Sequence, residues 1–244
     1  MVKIKDLTLK DIEGICDHGF LKLPGEFISK VNEGESSIQL REKAFYDFLE
    51  PIFSDKIKPY AVCVYPDDVS KARGFLGKNP VKIASVVGFP YSSNTKLKVY
   101  ETKFAISEGA NEIDMVLNYE SLKAGDYKIV RDDIKEVTEI CHKKDVLLKL
   151  ILEACELSAH QISQACKIAE QCYVDFVKTS TTYGSYGARA EDLKVMRANF
   201  SRGIKMSGGV RDHNFKDLLN AIGNNGEIEL NPLKIRIGES GLII

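Results

Sequence analysis

Short apolar runs recur along this chain at even intervals, with charged residues at alternating positions, and this constrains its fold more than any other feature. The runs are Ala61-Val62-Cys63-Val64-Tyr65 and residues 81–89, 112–117, 147–152, 175–180, 204–207 and 235–238. From the second run onward their starts lie about 28–36 residues apart, the spacing of a repeating strand–helix unit. Between them, residues 95–107, 126–142, 158–172 and 212–222 show helical spacing of apolar residues. Ile162, Ala165, Cys166 and Ala169, for example, form one stripe. Ser158 and Asp212 read as helix N-caps. Strands alternating with helices imply a parallel sheet covered by helices.

The strand residues decide between an open and a closed sheet. One set is apolar: Val62 and Val64; Ile83 and Val87; Ile113, Met115 and Leu117; Leu148, Leu150 and Leu152; Val177; Ile204 and Met206; Ile235 and Ile237. The opposite set holds Cys63, Lys82, Glu112, Asp114, Lys149, Glu153, Lys178, Lys205 and Arg236. An open sheet with helices on both faces would be apolar on both sides. One apolar face and one charged face fit a barrel, whose lumen lets the charges pair or meet a wet pocket. An eighth strand is required and is placed near residues 12–18. Residues 23–40, with Pro24, Gly25, Asn32, Gly34 and Ser36-Ser37, read as a long loop or an added element. No linker divides the chain, and 244 residues match the ~250 of a (β/α)8 TIM barrel, so residues 1–244 are read as one domain of that α/β class.

Charge and composition exclude several functions. With 34 Lys plus Arg against 35 Asp plus Glu, the net charge is -1, which removes the electrostatic footprint of a nucleic-acid binder. No stretch reaches the ~18–20 apolar residues of a membrane span, and the first residues lack the apolar centre of a signal peptide. The six cysteines form no C-x-x-C pair and read as buried reduced thiols, so a cytoplasmic protein is expected. The four histidines show no H-E-x-x-H spacing, and no metal site is expected.

Chemistry is concentrated in the charged set. Lys178 lies near the end of its strand, and Lys205, on the next strand, points into the same lumen by alternation. Desolvation and a neighbouring cation both favour a neutral amine, the form an imine-forming nucleophile needs. The alternative is a pair of structural lysines tied to carboxylates such as Glu153 or Glu112. Asp114 falls in the lumen set, either as a proton shuttle or as an ion-pair partner of Lys149 or Lys178. The turns Ser207-Gly208-Gly209-Val210-Arg211 and Arg236-Ile237-Gly238-Glu239-Ser240-Gly241 follow the last two strands, where such barrels commonly bind phosphate. Their backbone N–H groups would approach the anion, and Arg211 would add charge.

Six segments in order carry a resemblance. They are Ala61-Val62-Cys63-Val64-Tyr65-Pro66, residues 83–90, Glu112-Ile113-Asp114, residues 148–153, Asp175-Phe176-Val177-Lys178-Thr179-Ser180-Thr181 and Lys205-Met206-Ser207-Gly208-Gly209-Val210-Arg211. From about residue 15 onward the chain resembles the deoxyribose-phosphate aldolases, class I aldolases on a (β/α)8 barrel. The resemblance implies Lys178 as the Schiff-base lysine, Lys205 as the second lysine that depresses its pKa, and Asp114 as a proton relay with a bound water. It implies Asp17, Cys63 and Thr179 along the substrate pocket, and Gly208, Gly209, Gly238 and Ser240 at the phosphate. The substrate would be a small sugar phosphate, 2-deoxy-D-ribose 5-phosphate, with no cofactor, no nucleic-acid or membrane partner, and a homo-oligomer left open.

The chain departs from that family at several places. Gly19 stands where Thr usually follows Asp-His, and Thr182 then Tyr183 stand where a Gly usually follows K-T-S-T. Glu239 replaces a small residue in the last phosphate turn. A carboxylate there would repel phosphate, but alternation with Ile235 and Ile237 turns it toward the helices. Longer relatives carry a C-terminal tail whose Tyr assists proton transfer, and the sequence ends four residues after Ser240, so chemistry without that residue is expected. Two rival readings remain: another class I aldolase with an altered acceptor, and a barrel that binds a sugar phosphate without turnover.

Overall fold

The computed structural model describes residues 1–31 and 35–243, so Asn32 and Gly34 of the expected loop lie outside the described residues. Eight parallel strands close into a barrel: β1 (Cys16–Phe20), β2 (Ala61–Val64), β3 (Lys82–Val87), β4 (Glu112–Val116), β5 (Leu147–Ile151), β6 (Phe176–Lys178), β7 (Gly203–Ser207) and β8 (Ile235–Glu239). They follow chain order, and β8 pairs with β1 to close the ring. The apolar strand set packs outward into one continuous core with the helices. A small separate cluster, Cys63, Ala84 and Val86, lies on the opposite face.

Register places the charges. Residues opposite one another in a parallel ladder share a face, and the ladder sets Asp114 beside Lys149, Lys178 beside Lys205, Lys205 beside Arg236 and Asp17 beside Gly238. Lys82 departs from the expected set: it starts its strand and is solvent-exposed rather than part of the buried charge cluster.

Helices α1 (Ser37–Phe53), α2 (Val69–Leu76), α3 (Thr95–Ser107), α4 (Tyr119–Ala124), α5 (Tyr127–His142), α6 (Ala159–Gln171), α7 (Ala190–Asn199) and α8 (Phe215–Ile222) fill the connections. Ser158 caps α6 as expected, its side chain accepting from Gln161 N–H in a reciprocal capping box. Asp212 does not cap α8. That helix starts at Phe215 after Asn214, whose Oδ1 accepts from Arg211 N–H and whose Nδ2 donates to Gly209 O, at 2.8 and 2.9 Å. The asparagine thereby pins the glycine turn after β7. Within residues 23–40, Pro24–Lys30 forms a 3-10 stretch and α1 begins at Ser37, so the segment is partly helical. Among the described residues no helix is long and apolar enough to cross a membrane.

Candidate active site

Seven charged side chains fill the barrel interior, each almost fully removed from water. Asp114 Oδ2 accepts from Lys178 Nζ at 2.9 Å and Lys205 Nζ at 2.8 Å, while its Oδ1 accepts from Lys149 Nζ at 2.8 Å. Asp17 accepts from Lys205 Nζ at 2.6 Å and from Arg236 at 2.5 Å. Glu112 takes the other ends of Lys149 and Arg236, at 2.5 and 2.7 Å. The guanidinium of Arg236 also stacks on Tyr60, 3.8 Å from the ring centroid.

Electrostatics in this cluster are settled by competition between burial and charge. Burial pushes the Asp17 and Asp114 carboxyls up, but the surrounding cations outweigh it and hold both below the usual carboxylate range. Burial pushes Lys149, Lys205 and Arg236 down, and the carboxylates reverse this, so all three stay protonated. Three carboxylates are thus balanced by three firm cations. Lys178 is the fourth cation of the cluster, and among the described residues its one carboxylate contact, Asp114 Oδ2, is shared with Lys205. The cluster thus holds four basic side chains against three carboxylates, and Lys178 is the one with no carboxylate oxygen to itself. Its side chain is 4% exposed and meets a cleft.

That cleft, of about 380 Å³, opens at the C-terminal rim of the strands. Asp17, Cys63, Lys178 and Lys205 form its floor; Gly208, Gly209 and Arg211 stand on one side, with Gly238 and Ser240 beside them. Asp114 lies beneath the two lysines and off the wall. Cys63 Sγ sits 3.8 Å from Asp114 Oδ2, and burial followed by that negative charge pushes its thiol up, so it faces the cleft as a neutral group.

Thr179 is not on the wall. Strand alternation turns it from the face that Lys178 occupies, and its hydroxyl donates to Ser207 O and accepts from Ser207 N–H, both at 2.9 Å, stitching β6 to β7. Gly238 is required by space: a Cβ there would lie 2.7 Å from Ser207 Cβ and 3.0 Å from Lys205 Cε. Gly208 has φ +84 and backs onto Gly187, whose Cα would lie 2.8 Å from a Cβ at Gly208.

The structure adds walls beyond the site residues named from the sequence, among them Thr182 and Tyr183, which the resemblance had marked only as standing where a glycine usually follows K-T-S-T. Leu21, Lys22 and Glu26 come from the segment after β1, and Thr181, Thr182 and Tyr183 from the loop after β6. The first group has no periodic signal; the second directly follows the K-T-S stretch and was within reach. Thr182 has φ 83, a left-handed conformation that costs a β-branched residue about 1–3 kcal/mol, where the family resemblance has glycine.

Glu239 faces the helix layer. Its Oε1 lies 2.6 Å from His18 Nδ1, and its Oε2 accepts from Gly241 and Leu242 N–H at 2.7 and 2.6 Å. The His18 ring in turn stacks on Phe48. Burial pushes the Glu239 carboxyl up, but His18 and the two N–H groups outweigh it and hold it below the usual range. A lowered carboxyl stabilises the fold above its unfolded value and loses that contribution as pH falls through the folded one. Glu239→Thr should therefore cost about 1–3 kcal/mol at pH 7, with the deficit shrinking below pH ~4.3. Urea unfolding of both proteins across that range checks the sign.

Known proteins are similar to this chain in sequence and in fold. The DeoC/LacD family aldolase description matches residues 15–228. A deoxyribose-phosphate aldolase of Aciduliprofundum boonei is 45% identical over 163 residues, 66% of this chain and 72% of its own length. One from Treponema denticola is 46% identical over 154 residues, covering 62% and 71%. The solved structure of QR15, an aldolase, superposes with a TM-score of 0.76 at 29% identity, covering 96% of this chain and 93% of that one. A tetrameric deoxyribose phosphate aldolase from Aeropyrum pernix shares the fold at 20% identity, with a TM-score of 0.76 over 98% and 92%. With the family match running from the first barrel strand almost to the last, this chain belongs to the DeoC/LacD family of aldolases.

Proposed function

We propose that the protein cleaves 2-deoxy-D-ribose 5-phosphate reversibly to D-glyceraldehyde 3-phosphate and acetaldehyde through an imine on Lys178. The observation that carries this is the charge count: Lys178 is the cation left over in a buried cluster that is otherwise balanced, and it meets the cleft. Its neutral amine attacks C1 of the open-chain sugar, and water leaves as the imine forms. The protonated imine accepts the electron pair of the C2–C3 bond while the C3 hydroxyl loses its proton, releasing D-glyceraldehyde 3-phosphate. The remaining enamine is protonated at C2, and water hydrolyses the imine to acetaldehyde. Lys205 stays cationic beside the amine, and Asp114 relays protons with a bound water. The backbone of Gly208, Gly209, Gly238 and Ser240 cradles the phosphate, with Arg211 on the same rim. Glu239, turned toward His18, leaves that cradle free of its charge. The six free cysteines and this small anionic substrate support a cytoplasmic setting.

Acetaldehyde release from deoxyribose 5-phosphate and from plain deoxyribose tests the proposal. Two charge-assisted hydrogen bonds to phosphate predict a kcat/KM preference of about 10²-fold or more for the phosphorylated sugar. Equal KM values would remove the phosphate pocket from the account. EDTA should leave the rate unchanged, because the imine itself is the electron sink; loss of activity on chelation would count against the mechanism. An imine with acetaldehyde but no turnover of deoxyribose 5-phosphate would favour a different acceptor, and neither would favour a binding barrel.

A further inference from the structure

Glu153 is a buried carboxylate that the proposed chemistry does not use, and among the described residues no cation pairs with it. Its oxygens accept from Thr181 N–H at 3.3 Å and from the Thr181 hydroxyl, with the Cys155 thiol at 3.6 Å. Thr181 Oγ1 in turn accepts from Tyr183 N–H at 3.1 Å. The Tyr183 ring stands edge-on to Phe89, 5.5 Å between centroids, and its hydroxyl donates to Leu21 O at 2.8 Å. Leu21 belongs to the segment after β1, which is itself tied down: Lys22 O accepts from Arg41 Nε at 3.0 Å, and Arg41 forks onto Asp68. A continuous line of hydrogen bonds therefore runs from the end of β5, through the loop after β6, to the segment after β1.

The backbone of this line is shaped for the purpose. Glu153 and Thr182 both hold left-handed φ values, 53 and 83, although neither is glycine. Such conformations persist only where their surroundings over-determine them. Gly184 lets the loop close onto Glu153, since a Cβ there would lie 2.3 Å from Cys155 Sγ and 3.1 Å from Glu153 Oε1. Thr182 in turn neighbours the Gly208 turn: its Cγ2 would lie 3.7 Å from a Cβ at Gly208. The line thus crosses the cleft beside the phosphate turn, with Lys178 on the floor below.

We infer that Glu153 and Thr181 are positioning residues of a strap that holds Tyr183 as the wall of the acceptor half of the cleft, setting the fit of the three-carbon phosphorylated aldehyde and not the rate of imine formation. The inference rests on the aldolase reading above. Thr181→Val keeps the shape but removes the hydroxyl that joins Glu153 to Tyr183, and Thr181→Ser restores it. In the synthetic direction, Thr181→Val should raise KM for D-glyceraldehyde 3-phosphate about tenfold, while borohydride trapping of acetaldehyde on Lys178 keeps its wild-type rate. Thr181→Ser should stay within about twofold of wild type in both. Hydrogen exchange over residues 179–186 should be faster in Thr181→Val alone. Unchanged KM in Thr181→Val, slowed trapping, or failure of Thr181→Ser to restore KM would overturn the strap. If the wild-type protein shows no turnover, the aldolase reading falls and the exchange experiment judges the strap by itself: equal exchange in wild type and Thr181→Val overturns it.

Discussion

Lys178→Met is expected to lower kcat by a factor on the order of 10⁴–10⁶ while leaving the barrel at least as stable as before. The methionine fills the stem's volume but offers no amine, so no imine forms and the C2–C3 bond has no electron sink. The stability half of the expectation comes from the charge count. Lys149, Lys205 and Arg236 already balance Asp17, Glu112 and Asp114, so removing Lys178 strands no carboxylate. Most truncations of a buried ion pair destabilise by leaving an unpaired charge; this one removes the surplus. Steady-state turnover together with the thermal midpoint checks both halves. A lost activity accompanied by a lower midpoint would mean that Lys178 serves the fold.

Lys205→Leu is expected to act in the opposite electrostatic sense. Without Lys205 the cluster holds Lys149, Lys178 and Arg236 against the same three carboxylates, and Lys178 becomes the cation that Asp114 needs. An amine held in its charged form attacks only after losing its proton, so imine formation should move to higher pH. Each pH unit corresponds to about 1.4 kcal/mol, and a displacement of one to two units lowers the neutral-pH rate by roughly 10–100-fold. The rate of imine formation as a function of pH reads this directly. An unchanged profile with a uniformly lower rate would make Lys205 a structural residue.

What the sequence disclosed follows from which residues had one partner environment and which had two. Strands β2 to β8 were legible because an apolar set faced the helices and a different set faced the lumen. Strand β1 was faint because Asp17 and Gly19 face the lumen while His18, between Cys16 and Phe20 on the helix side, pairs with Glu239 and interrupts the apolar set. The orientation of Glu239 followed from its parity with Ile235 and Ile237. That same parity placed Thr179 off the lumen face, and the resemblance drew it wrongly into the pocket. Asp212 fits a helix cap by type, but Asn214 is drawn to the glycine turn and moves the helix start with it. Leu21, Lys22 and Glu26 were invisible for a plainer reason: a segment that wraps a rim has no period, and its place in the cleft comes from tertiary contacts alone.

The central claim, a nucleophilic amine at Lys178, is tested most directly by borohydride reduction in the presence of acetaldehyde, followed by peptide mapping. Reduction of the imine leaves a stable secondary amine carrying one ethyl group. The account predicts that this group is found on Lys178, that it blocks subsequent turnover, and that the untreated enzyme with acetaldehyde alone is unlabelled. An ethyl group on another lysine, or no covalent label in an enzyme that still turns over deoxyribose 5-phosphate, would contradict it.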